Sequence, residues 1–307
     1  MSEPDQELKE AIARHFEDRG FEVTLLEAKE DRKTPDLLVA SSGQRFLIEV
    51  KAKSDDLAAL LERRRKLARG EFVMHDASLA PMNTIASKAR DGVCQLNDYP
   101  SEERDFSLLW LHAEGEEPQS QVEQFASTLY GKANVYSIMN SKFSHECYFF
   151  HDSVFYRWRA TLDGAILSTF TTTKLCINTY SPRYTSFRAS EIVRAFDQAV
   201  VDPIELERAG RAIVADCDVD RRKHVDVIRY LAVKYNEEYL QHFQMASLSL
   251  MREFPVDEDR LGTAPNPGPP ADTWARAQVS AEAHSVRRRR SESCKPSCSL
   301  TFVWLAR

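Results

Sequence analysis

No stretch of this chain is apolar for long enough to cross a bilayer, which argues against a membrane-spanning helix. Its six cysteines are scattered, with no framework spacing, which argues against a disulfide-stapled secreted fold and for a reduced, cytoplasmic setting. Positive charge is not in excess either. The formal net charge is −6, so bulk electrostatics does not advertise nucleic-acid binding. A Walker A loop, a nucleophile elbow and a dinucleotide fingerprint are all missing, which counts against a built-in motor or a serine hydrolase. The N-terminal Met1-Ser2-Glu3-Pro4-Asp5 is acidic rather than signal-like. What is present is a 307-residue chain, 43% hydrophobic and 29% charged, with material for a core and a second unit.

The most informative stretch is Thr34-Pro35-Asp36-Leu37-Leu38-Val39 followed by Phe46-Leu47-Ile48-Glu49-Val50-Lys51. Between these runs, Ser41-Ser42-Gly43-Gln44 reads as a tight hairpin turn with Ser42 and Gly43 at its centre. Pairing outward from Ser41 and Gln44 sets Asp36 opposite Glu49, with Cβ atoms roughly 4.5–5.5 Å apart. Alternation then sorts the faces. Leu37, Val39, Phe46, Ile48 and Val50 form an apolar face, and Asp36, Glu49 and Lys51 point the other way together.

Two opposed carboxylates repel unless a proton, a basic side chain or a divalent metal sits between them. Hard oxygen ligands suit magnesium, with manganese as a substitute, because such ions keep waters and borrow further oxygens from a substrate phosphate. Lys51 would then lie beside the metal and orient a water or stabilise developing negative charge. An ordinary amphipathic hairpin, with Lys51 simply neutralising Glu49, accounts for the same three residues.

Pro35-Asp36 with Glu49-Val50-Lys51 resembles the PD-(D/E)XK nuclease superfamily, in which helix, strand, aspartate-bearing strand, E-x-K strand and helix follow in order. Residues 5–19 supply the first helix, with Leu8, Ile12, His15, Phe16 and Arg19 on one side and Gly20 as its stop. Phe21–Leu26 supplies the first strand, and Glu27–Lys33 the connection. The look is nearest to Holliday-junction resolvases and Mrr-type nucleases over the first fifty residues. This resemblance implies an α/β, restriction-endonuclease-like mixed sheet flanked by helices, with Asp36 and Glu49 holding the metal and Lys51 assisting catalysis. Many members add a glutamate from the first helix. The candidates are Glu7 and Glu10, and helical angle favours Glu7, which flanks the apolar stripe next to Ala11.

Asn83–Asp98 reads as a helix carrying Lys88 and leading through Gln95 to Tyr99, a Q-x-x-x-Y spacing similar to that of RecB-like nucleases, where the glutamine helps orient the site. The intervening Asp55–Arg69 segment is helical in composition and carries Arg63-Arg64-Arg65-Lys66 and Arg69. Beside a phosphodiesterase site these, with Arg32, Lys33 and Lys53, would neutralise phosphates; as a solvated helix face they would be balanced by Glu62 and Glu71. His145-Glu146-Cys147 with His151 lacks a second ligand pair at zinc spacing and reads as part of a strand.

Farther along, Phe106–His112 and Asn134–Met139 read as central strands extending the hairpin's sheet, separated by a helix around Val122–Tyr130. Cys147–Trp158, Ala165–Thr172 and Lys174–Tyr180 read as further, antiparallel strands. From Ser190 the pattern turns helical, with Val225, Ile228, Ala232, Tyr235, Tyr239 and Ala246 as a packing stripe. The expected organisation is a nuclease-like core over 1–140, a strand-rich then helical extension over 141–256, and a disordered tail over 257–307, where Pro265–Pro270 and Arg287–Arg290 carry no hydrophobic period. The functional expectation is a metal-dependent nuclease acting on nucleic acid, DNA before RNA, in restriction, phage defence or repair, with a homodimer as a further expectation and no membrane partner. The alternative is a catalytically inactive nucleic-acid-binding or assembly module that retains the fold.

Overall fold

The structure, a computed structural model, describes residues 3–27, 34–71, 73–75, 79–243 and 251–253. The segment 257–307 and the basic residues Arg32 and Lys33 lie outside the described residues. The chain opens with helix α1 (Glu3–Glu17), strands β1 (Glu22–Leu25), β2 (Leu37–Ser41) and β3 (Gln44–Lys53), then α2 (Leu57–Ala68), β4 (Val73–His75) and α3 (Asn83–Asp98). It continues through β5 (Phe106–Ala113), α4 (Pro118–Tyr130), β6 (Ala133–Ser137), β7 (Ser144–Tyr148), α5 (Val154–Arg157), β8 (Gly164–Ser168) and β9 (Thr173–Ile177). Then come α6 (Tyr184–Arg188), α7 (Glu191–Phe196), β10 (Val200–Val201), α8 (Pro203–Arg208), β11 (Ile213–Val214), α9 (His224–Tyr235), β12 (Leu240–Phe243) and β13 (Met251–Glu253).

The architecture is mixed α/β. Seven strands form one sheet in the order β1-β2-β3-β5-β8-β9-β10. The pairs β3/β5, β5/β8 and β9/β10 are parallel and the others antiparallel. All eight residues of β5 are buried, as its nearly unbroken apolar run requires of a parallel strand covered on both faces. On one face Leu47, Leu109 and Leu111 pack against Ile85, Ala89 and Val93 of α3 and Phe125 and Leu129 of α4. On the other, Leu37, Val39, Ile48 and Trp110 pack against Ile12 and Phe16 of α1 and Ile192 and Val193 of α7. Asp56 starts α2 by accepting from the Ala58 and Ala59 amides, and a left-handed Gly131 (φ 62°) ends α4.

A second sheet, β11-β7-β6-β12, packs on Val227 and Leu231 of α9. This corrects the expectation that the strand near Asn134–Met139 extends the large sheet. β8 takes that place beside β5. Its five residues are all buried, whereas β6 buries alternate residues only, the pattern of a strand covered on one side. The large sheet therefore draws strands from both sides of residue 140.

Two further expectations are revised. Cys147–Trp158 is not one strand: β7 ends at Tyr148, Phe149 turns with φ 61°, and Ser153 caps α5 by accepting from the Tyr156 amide at 3.1 Å. The stripe through Val225 and Tyr239 is also displaced. Val225 is 71% exposed, Val227 and Leu231 are buried, Ile228, Ala232 and Tyr235 of the expected stripe pack partly buried beside them, and a left-handed Asn236 (φ 52°) ends α9 before Tyr239. Ala246 lies outside the described residues.

Candidate active site

The β2–β3 hairpin has the expected register. Ser42 and Gly43 both adopt positive φ, 49° and 77°, as two-residue hairpin turns prefer. Ladder partners run from Ser41 and Gln44 to Leu37 and Ile48, where the regular pairing ends, and Asp36, one residue before Leu37, neighbours Glu49. The Asp36 amide donates to the Ile48 carbonyl at 3.2 Å, and its Oδ2 accepts from the Val50 amide at 2.7 Å. Backbone bonds thus fix this carboxylate independently of any ligand.

The face bearing Glu49 is covered, not solvated. Glu49 is 1% exposed because α3 crosses directly above it. Gly92 makes the approach possible: a Cβ there would stand 2.7 Å from Leu109 Cδ2, 3.1 Å from Glu49 Cγ and 3.6 Å from Lys51 Cε. The same helix delivers Gln95, whose Nε2 donates to Glu49 Oε1 at 2.6 Å, and Lys51 Nζ pairs with that oxygen too. Glu49 Oε2 is buried and has no hydrogen-bond partner. Gln95 therefore does reach the candidate site. Gly92 was not singled out from sequence, although an isolated glycine inside a helical pattern is a signal of close packing.

The first helix differs from expectation. Glu7 is exposed, and Glu10 accepts a hydrogen bond from Gln6 at 3.0 Å. The residue that α1 presents to Asp36 is Lys9, whose Nζ pairs with Oδ1. The reason lies in the helix face. Ala13 is buried and Ala11 is exposed, so the packing stripe is centred on Ile12, Ala13 and Phe16. At about 100° per residue, Lys9 falls within about 20° of Phe16 around the axis, and Glu7 is turned away.

Burial pushes the Glu49 carboxyl up to about 8, the neighbouring Asp36 charge adds to the rise, and Lys51 opposes it. A buried pair of carboxylates with one orphaned oxygen fits a hard divalent cation. Such an ion takes one or two carboxylates and completes its shell with water. Among the described residues no group of three or more His, Cys, Asp or Glu side chains is arranged to hold a metal ion, so Asp36 and Glu49 are the side-chain ligands on offer. The zinc alternative around His145 gains no ligand set from the fold: Glu146 pairs with Lys132 at 2.6 Å and Cys147 is buried.

Lys53 follows Lys51 on the same strand face and donates to Gln124 Oε1 at 2.6 Å. Lys88 of α3 donates to the Ala52 carbonyl at 2.8 Å. The basic cluster of α2 is partly neutralised within the fold, because Arg63 and Arg64 both pair with Glu116 and Arg69 pairs with Glu71. Arg64 and Arg65 remain exposed. No helix among the described residues is long and apolar enough to cross a membrane. No protein-family model, curated protein or solved structure matches the chain.

Proposed function

We propose that the protein is a metal-dependent nuclease of the PD-(D/E)XK type, with a restriction-endonuclease-like core, and that Asp36, Glu49 and Lys51 form its centre. The observation that carries this reading is the buried Glu49 oxygen left without a donor beside Asp36, with Lys51 on the same carboxylate. A buried acid is costly to keep charged, and a bound cation would offset that cost. Magnesium, with manganese as a substitute, would be held by Asp36 and Glu49. When bound, it supplies Lewis-acid polarisation of a phosphate oxygen and a more acidic water.

The chain's own residues supply the rest. The backbone bond from Val50 orients Asp36, and Gln95 holds Glu49 in one rotamer. The Lys51 ammonium, paired with Glu49, would orient an attacking water and balance charge building on the phosphate. Lys53, Lys88 and the exposed arginines of α2 would supply positive charge to a polyanionic backbone, with DNA ranked before RNA.

Purified protein incubated with linear, circular and single-stranded DNA and with RNA tests this directly. Cleavage is expected with magnesium, not with EDTA, and is expected to vanish in Asp36→Ala and Lys51→Ala. Cleavage that survives EDTA or either substitution overturns the mechanism. The close cover of α3 over Glu49 favours one competing reading, a module that binds nucleic acid without cutting it. Metal-independent retention of DNA with no cleavage of any substrate assigns the chain to that class.

A further inference from the structure

We infer that Lys9 is a built-in counter-ion of Asp36, and that metal capture displaces it. The inference rests on the metal-site reading above and concerns what that site holds before a metal arrives.

The argument is one of charge and placement. α1 and α3 lie on opposite faces of the large sheet, so the two carboxylates are served from two sides. Lys9 reaches Asp36 Oδ1 from α1, and Lys51 reaches Glu49 Oε1 along β3. Two ammonium groups thus face the two carboxyl groups without a metal. A divalent ion entering between Asp36 and Glu49 adds two positive charges where Lys9 already neutralises one ligand. With Oδ2 accepting from the Val50 amide and Oδ1 paired with Lys9, an ion that takes Asp36 competes with Lys9 for the charge of that carboxylate.

Lys9 is suited to leaving. Its side chain is 18% exposed, and a lysine carries its charge on a flexible four-carbon stem that can swing to water while the stem stays packed. Lys51 is held next to Glu49 on its own strand. Of the two ammonium groups, Lys9 sits on a separate element and gives way without moving the hairpin. Lys9 neutralises Asp36 while no metal is bound and lowers metal affinity by the competition. Its release places a mobile positive charge at the rim of the site.

The test is Mn2+ binding to the full chain by calorimetry and electron paramagnetic resonance, with no nucleic acid present. Wild type is compared with Lys9→Met, Lys9→Gln, Lys9→Arg and Asp36→Asn, each checked for folding by circular dichroism. Lys9→Met and Lys9→Gln are expected to bind Mn2+ more tightly, on the order of tenfold, because a nearby like charge is gone. Lys9→Arg is expected to stay near wild type, and Asp36→Asn to lose the site. Equal affinity in wild type and both neutral variants, with the site still lost in Asp36→Asn, overturns the counter-ion role and leaves the metal site standing. Absence of Mn2+ binding in all five proteins overturns the metal site and this inference with it.

Discussion

Glu49 concentrates the chemistry of this chain into one side chain: it is 1% exposed, bonded by Lys51 and Gln95 through one oxygen, and unpartnered at the other. Its two roles separate by substitution. Magnesium at one hundred times its dissociation constant is expected to stabilise the wild-type fold by about 2.7 kcal/mol. Glu49→Gln keeps the shape and the bond to Gln95 but removes the ligand charge. Its melting temperature is expected to be unmoved by magnesium, read by calorimetry with and without EDTA. Gln95 acts through Glu49, so Gln95→Ala is expected to weaken metal affinity or turnover on the order of 10–100-fold without abolishing either. An unchanged Mn2+ affinity and turnover in that variant would remove Gln95 from the site. At this scale the hairpin residues were readable because a two-residue turn leaves little choice of register. Lys9 was not read, because Ala11 and Ala13 look alike in composition, and which of them is buried decides whether Glu7 or Lys9 faces inward.

The element that decides site access is α3. Its bounds, Asn83–Asp98, follow the sequence pattern, yet sequence spacing alone leaves open that it lies across β3 at Gly92. That contact needs a backbone with no side chain within reach of Leu109, Glu49 and Lys51. Gly92→Val is expected to destabilise the fold by about 1–3 kcal/mol through overpacking, and to cost activity because α3 must lift away from Glu49 and carry Gln95 with it. Chemical denaturation checks the first effect and metal titration the second; a variant with native stability and native metal affinity would mean that α3 does not seat here. Other elements show why partners are harder to read than strands. β6 has the alternation of a strand, but alternation does not name its neighbours. β8, with every residue buried, was the better candidate for the place beside β5. Likewise the Ser153 cap that starts α5 is masked by the aromatic run around it, which reads as strand.

Across the whole molecule, acid sensitivity is written into both sheets by histidines held neutral. His15 of α1 packs edge-on against Trp110 of β5, with ring centroids 5.5 Å apart. Burial pulls it down to about 4, with Arg19 adding to the fall. In the second sheet's neighbourhood, His151 Nδ1 lies 3.1 Å from His224 Nε2, and His242 of β12 stands 4.9 Å from the His224 ring. Burial again, then the other two histidines, lower His151 to about 4. For both groups the unfolded chain binds a proton near pH 6.5 and the folded chain does not until about 4. Stability is therefore complete above pH 6.5 and declines as pH falls toward 4. Glu49 is shifted in the opposite sense: its raised value makes metal-free stability fall as pH rises from about 4.5 to about 8. The net pH profile mixes the two, so variants at matched pH are the clean comparison. His151 is 9% exposed and His15 half-buried, and each contributes on the order of 1–2 kcal/mol between pH 7 and pH 5. His15→Gln and His151→Gln, unfolded by urea in EDTA at those two pH values, are each expected to lose less stability on acidification than wild type. Parallel losses in wild type and both variants would place the acid-sensitive groups elsewhere in the fold.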